Sequence, residues 1–310
     1  MNFAQSEHID KGYLKFHITE ADGYLPIQGA SIAISYTGDP DSILETIQTD
    51  ENGQTERLTL PAPPIDYSME PGEQQPYAEY TFHISAPDHD PVTIAGSEIL
   101  PEVTAIQETS LPLLTDPVPD IVYTIGAHTL YGNYPPKIPE AEIKPIEETG
   151  EIVLSRVVIP EYIIVHDGSI NDRTAKDYYV KYKDYIKNVA SCEIYATWPR
   201  ATIEANVLAI MSFTLNRVYT EWYRNKGYDF TITSSTAYDH KWIPEKNTYT
   251  SINEVVDQIF SDYLSRPNVS QPILTQYCDG KKVSCSGWMS KCCTKPIFST
   301  DGTMYRLLNR

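Results

Sequence analysis

Proline sets the first limit on this chain. Between residues 115 and about 160 it recurs in "TDPVPD", "NYPPKIPEAEIKPIEETG" and "VVIPEY". Each proline removes a backbone donor and favours extended backbone, so the stretch reads as a linker or a strap laid over the surface. It is also a natural place for a protease to cut. A chain of 310 residues divided there has room for two domains, each with its own core. The 41% hydrophobic and 21% charged shares are those of a globular protein rather than a disordered or fibrous one.

On the N-terminal side of the strap, short alternating runs are separated by turn residues. "YLKFHITEA", "ASIAISYTG" and "YAEYTFHISAP" alternate apolar and polar positions, and "DENGQ" supplies a turn. The expectation is a small antiparallel β-sandwich over residues 1–115. The order "GYLKFHITEADGYLPIQGASIAISY" followed by "IQTDENGQT" resembles the carboxypeptidase-regulatory-like, transthyretin-type sandwich. That resemblance implies a non-catalytic domain.

After the strap the text becomes mixed. "RVVIPEYIIVHDG" is a β-branched run ending in a turn. Tyr178, Tyr182, Tyr185 and Val189 follow helical spacing, which predicts a helix face packed on a core in preference to a sugar-stacking platform. Ile203, Val207, Ile210, Met211, Leu215, Val218 and Trp222 predict a long central helix, and "INEVVDQIFSDYLSR" one more from about residue 252 to 266. The fold class expected for the whole chain is α+β. His166 and Asp167 in "HDG" would point to opposite faces of a strand, so that pair reads as a turn.

The charge divides at the strap. Residues 1–150 hold 25 acidic and 5 basic side chains, a net of −20, while residues 151–310 hold 17 and 19, a net of +2. Nucleic-acid binding rests on Lys and Arg neutralising phosphates, so the acidic half excludes nucleic acid as a partner. The start "MNFAQSEHIDKGYLKF" lacks a basic stretch followed by an apolar core, and no run approaches the apolar length of a membrane span, so neither classical secretion nor a membrane span is expected. The five cysteines, Cys192, Cys278, Cys285, Cys292 and Cys293, are odd in number and confined to the second half, which is not a disulfide framework.

Glu193 lies just before a Trp-Pro step and the long apolar-periodic run. Trp198 and the nearby tyrosines could surround it with apolar groups that keep a carboxyl protonated as a general acid. Here a longer likeness enters. "YKDYIKNVASCEIYATWPRATIEANVLAIMSFTLNRVYTEWYRNKGYDFTITSSTAYDHKW" together with "QPILTQYCDGKKVSCSGWMS" resembles the clostridial spore cortex-lytic enzymes, germination-specific lytic transglycosylases of the sporulation stage II protein D fold. The resemblance implies a pre domain at 1–115, a pro or linker segment at 116–151, a mixed α+β transglycosylase domain at 152–290 and an atypical tail at 291–310.

It further implies cleavage of the bond between N-acetylmuramic acid and N-acetylglucosamine in spore cortex peptidoglycan, with a 1,6-anhydro product. Glu193 would be the single catalytic carboxylate, which suits a transglycosylase better than the carboxylate pair of glycosidases. Against the family pattern only that glutamate is unchanged, with Glu204, Asn206 and Met211 at the family's lysine, glutamine and arginine positions. Substrate contacts would come from Trp198, Asn206, Tyr238, Asp239, Tyr277 and Asp279, though the tyrosines read equally as core and the Asp residues as turn formers. No cofactor is expected; a zinc site at His240, Cys278 and Cys285 ranks below free or mutually bonded thiols, because Cys-x6-Cys is not standard zinc spacing. The partners implied are cortex glycan strands and an activating germination protease, and the implied location is the spore. The end "GWMSKCCTKPIFSTDGTMYRLLNR" departs from the family, so the alternative expectation is a catalytically silent homologue that binds peptidoglycan or serves a structural role.

Overall fold

The computed structural model describes residues 9–21, 24–69, 74–127, 130 and 152–275, with the backbone of three short strands beyond them. In chain order the elements are β1 (Asp10–Glu20), β2 (Ser31–Tyr36), β3 (Asp39–Gln48), β4 (Leu58–Ala62), α1 (Asp66–Met69), β5 (Ala78–Ser85), β6 (Val92–Ile99), β7 (Thr104–Leu111) and β8 (Ile121–Thr124). There follow β9 (Tyr162–His166), β10 (Asp177–Lys181), α2 (Tyr182–Glu193), α3 (Arg200–Tyr219), β11 (Ile232–Thr233), β12 (Thr248–Tyr249) and α4 (Thr250–Ile259). The last strands are β13 (Leu264–Ser265), β14 (Tyr277–Cys278), β15 (Met289–Ser290) and β16 (Arg306–Leu307). The chain is α+β, with sheet predominating in its first part.

Two compact units share the residues. The first comprises Met1–Thr129, Tyr195–Trp198 and Pro244–Ser251, and the second Leu130–Ile194, Pro199–Ile243 and Ile252–Arg310. The expected segments 1–115, 116–151 and 152–290 are therefore not how the described residues group. Two stretches from beyond the strap, 195–198 and 244–251, pack with the sandwich.

In the first unit, β1 explains itself from its text. Leu14, Phe16 and Ile18 are buried, while Lys15 and His17 between them are half-exposed, so the period of two covers one face. One sheet runs β12-β7-β1-β4 and the other β3-β2-β5-β6-β8. Phe16 from the first sheet meets Phe82 from the second edge-to-face, ring centroids 4.8 Å apart at 81°. Ile32, Ile34, Tyr80, Ile84 and Ile94 complete a fully buried core, each side chain stabilising the fold by roughly 1.5–3 kcal/mol.

The sandwich is not purely antiparallel as expected. β1 and β7 pair in parallel from Tyr13↔Thr104 to Glu20↔Leu111, and β6 pairs in parallel with β8. β8 lies inside the stretch expected as linker, so the sheet continues past residue 116. The "DENGQ" turn forms as its residues predict: Asp50 Oδ1 accepts from the backbone N–H groups of Asn52 and Gln54, and Gly53 takes φ +69°. Those hydrogen bonds, chiefly that of Gln54, hold the exposed Asp50 carboxyl below its usual range.

In the second unit, β10-β9-β11 form a small sheet and α3 is its central helix. Ile203, Val207, Ile210, Met211, Phe213 and Leu215 are buried, and so are Ser212, Thr214 and Asn216 of the same helix. A helix buried nearly all round must satisfy its polar side chains internally. The Ser212 and Thr214 hydroxyls donate to the carbonyls of Leu208 and Ile210, and Asn216 donates to the Pro272 carbonyl. Tyr178 departs from the expected helix face: it lies on β10, and the helix begins only at Tyr182. The expected helix over 252–266 is shorter, ending at Ile259. Residues 131–150 of the strap and 291–305 of the tail lie outside the described residues.

Candidate functional site

Glu193 is the last residue of α2 and only 7% exposed; its Oε1 accepts the backbone N–H of Lys241 at 2.8 Å. That bond ties the end of α2 to residue 241. Asn206, on α3, donates to the Thr202 carbonyl one turn back. Asp239 is fully buried, with Oδ1 taken by Arg217 Nε at 2.7 Å and Oδ2 by the Thr233 hydroxyl at 2.7 Å, the Thr233 N–H at 2.9 Å and the Tyr223 hydroxyl. Tyr238 is half-buried, and its backbone carbonyl accepts from Arg217.

Burial is the largest influence on Asp239 and alone would raise its carboxyl; Arg217 and the hydrogen bonds from Tyr223 and Thr233 overcome it, so the group ionises below its usual range. The same geometry raises Tyr223, through burial first and the Asp239 charge second. Both oxygens are thus engaged inside the second unit, and the side chain has no exposed surface.

His240 is buried, its ring 4.5 Å from that of Phe213. Trp198 belongs to the first unit, where its indole N–H donates to the Ser68 carbonyl at 2.8 Å. Asp279, Cys285 and the side chains of Tyr277 and Cys278 lie outside the described residues. Among the described residues no three His, Cys, Asp or Glu side chains converge as metal ligands, and no helix is long and apolar enough to cross a membrane. His166 pairs with Asp177, Nδ1 to Oδ1 at 2.7 Å, and not with its neighbour Asp167, which accepts from Ser234.

The sandwich presents an exposed sheet edge. Among the described residues β3 ends its sheet with only β2 beside it, and β4 ends the other sheet. Every residue of β3 except Ile47 is exposed, including Ile43 at 61% and Leu44 at 48%. Between these edges lies a groove of about 470 Å³ lined by Glu45, Ile47, Arg57, Leu58 and Thr59. The pairing Ile34↔Glu45 and Ile32↔Ile47 sets Glu45 and Ile47 on the face of β3 that continues the buried Ile32 and Ile34, so a carboxylate stands at the mouth of the sandwich. Asp39 and Asp41 add exposed carboxylates along the same strand. Register shifts on either side of Ser35 loosen the β2–β3 ladder, twisting the edge where it faces solvent. Nothing local in "DPDSILETIQ" marks this strand as an edge.

No family model matches the chain, and no curated protein matches it. Among solved structures, catechol 1,2-dioxygenase from Acinetobacter sp. ADP1 is similar with a TM-score of 0.24 and 18% identity, over 39% of this chain and 61% of that one. The 5-hydroxyisourate hydrolase of Klebsiella pneumoniae gives 0.20 and 12%, over 32% and 89%, and transthyretin from Sparus aurata 0.20 and 18%, over 33% and 91%. The match thus spans about three fifths of the dioxygenase's length. Likeness of this degree transfers neither activity nor ligand.

These findings correct the reading drawn from the second half of the sequence. The solved structures that resemble the chain are ring-cleaving dioxygenases and transthyretin-type folds, not lytic transglycosylases, and no family or curated match supports a spore cortex-lytic enzyme. Nothing in these likenesses supports transglycosylase activity, a germination role or a cortex substrate. The physical reason lies in the motif itself: a buried helix after a Trp-Pro step satisfies packing rules that many central helices share, and only Glu193 matched the pattern beyond that. The partners and location attached to the resemblance lose the support it gave.

Proposed function

We propose that the acidic sandwich is a protein-binding module that takes an extended, lysine- or arginine-bearing segment of a partner along β3 and into the adjoining groove. The observation that carries this reading is the β3 edge, ten residues long and unpaired on its outer side among the described residues, with Ile43 and Leu44 exposed among the carboxylates of Asp39, Asp41 and Glu45. An unpaired edge offers main-chain hydrogen bonds to an added strand, and the side chains beside it choose which strand. The acids favour a cationic segment and steer its approach. They also oppose pairing of β3 with a second copy of itself, since like charges would stand opposite one another.

Calorimetric titration of the whole chain with a synthetic peptide of alternating lysine and threonine tests the reading, beside one of alternating glutamate and threonine. The lysine peptide is expected to bind and to slow amide exchange along β3. The paired substitution Asp41→Lys and Glu45→Lys should weaken binding about tenfold or more. Both positions are exposed, so the melting temperature should stay within the small range of surface changes. Equal binding of the acidic peptide, or protection that appears away from β3, would overturn the assignment.

A further inference from the structure

The segment 244–249 is fastened to the sandwich at several points. β12 pairs with β7 through Thr248↔Ile106 and Tyr249↔Ala105, and Gln107 Nε2 donates to the Glu245 carbonyl at 3.0 Å. Within this fastening Glu245 is an anomaly. Its backbone sits in the left-handed region at φ +56°, which side chains disfavour, and its Oε2 is buried with no hydrogen-bond partner among the described residues. The carboxyl accepts a hydrogen bond from the buried Thr109 of β7, and the exposed Glu108 of β7 and Tyr123 of β8 act on it electrostatically. On its own segment the nearest charge is Lys246, whose Nζ is engaged by Glu98 Oε2 at 2.6 Å.

We propose that Glu245 is a proton-controlled latch: with a neutral carboxyl it rests on β7 at Thr109 and helps keep residues 244–247 on the sandwich, and on losing the proton it weakens that hold, so that the segment opens more often. A charged carboxylate at that position would have the Thr109 hydroxyl as its donor, none for Oε2 among the described residues, and the like charge of Glu108 acting on it. Burial chiefly lifts the Glu245 carboxyl to about 7, with Thr109's hydroxyl acting against it and Glu108 adding to it. The sign follows. The closed segment holds the proton at a pH where the open one has released it, so closure is favoured at low pH and lost as pH rises through about 7.

Amide hydrogen exchange of residues 244–249 in the whole chain, followed by mass spectrometry and corrected for intrinsic rates, reads this directly. Protection in the wild type is expected to fall roughly tenfold between pH 6 and pH 8, since closure weakens about tenfold for each pH unit up to about 7 and levels off above it. Glu245→Gln fixes the neutral form and should give a flat profile. Glu108→Gln, which removes the opposing charge and leaves Glu245 in place, should move the midpoint to lower pH. A role in packing alone would change the level of protection and leave its pH dependence untouched. Parallel profiles in the wild type and Glu245→Gln, or, where that variant does not fold, an unmoved midpoint in Glu108→Gln, would overturn the proposal.

Discussion

Replacing Asp239 by alanine is expected to destabilise the second unit by about 3–5 kcal/mol, the cost of stranding a buried charge. The side chain is fully buried, as is Arg217, which it holds at 2.7 Å. Arg217 also lies against the rings of Phe213 and Trp222, 4.8 Å and 4.9 Å from their centroids, so it cannot turn to solvent when its partner is removed. Thr233 and Tyr223 would lose their acceptor at the same time. Urea unfolding should show the transition of this unit moved to low denaturant, with that of the sandwich unchanged. Substituting both partners, Asp239→Leu with Arg217→Met, should recover much of the loss, because apolar side chains need no counter-charge. Acid provides a second readout. Asp239 ionises below its usual range in the folded protein, so its contribution is present above the ordinary carboxylate range and lost as pH falls through the folded value. Asp239→Ala should therefore flatten the acid limb of the stability profile; an unchanged limb would place the acid sensitivity elsewhere.

What the sequence disclosed was whatever local chemistry decides. The period of two in "YLKFHITEA" became β1 because one face of that strand is buried, and the period of 3.6 after Pro199 became α3 for the same reason on a cylinder. "DENGQ" turned because Asp50 and Gly53 need no distant help. Tyr178 misled because it stands four residues before Tyr182, a helical spacing, while "DYYVK" is itself rich in strand-forming residues and pairs with β9. Pairing partners were not legible at all. Nothing in "GYLKF" says that it will lie parallel to residues 104–111, and nothing in "EKNTY" says that it joins the sandwich rather than the helices around it. The open edge was hidden for the same reason, since being an edge is a statement about which strand is absent. Glu193 was legible only as one acid before a long helix; that its side chain would accept the backbone N–H of Lys241 is a long-range contact no local pattern announces.

The second large effect is expected at Lys246. Its ammonium and the Glu98 carboxylate are both buried and meet at 2.6 Å, and the neighbouring groups are arranged around that pair. Asn247 Oδ1 accepts the Glu98 N–H at 3.0 Å, its Nδ2 returns a bond to the Glu98 carbonyl at 2.9 Å, and the Tyr249 hydroxyl donates to the same carbonyl. Lys246→Ala leaves the Glu98 charge inside the protein without its cation, a loss of about 3–5 kcal/mol that should appear as a lowered melting temperature of the sandwich. Glu98→Gln with Lys246→Met removes both charges and should cost far less, because the backbone bonds of Asn247 and Tyr249 to residue 98 remain. If the double variant is as damaged as Lys246→Ala, the amide clamp depends on the ion pair for its geometry. If it is as stable as the wild type, the pair adds little net stability, and its role is to fix which residue of 244–251 meets β6, since an ammonium has one place in this interior where a carboxylate awaits it.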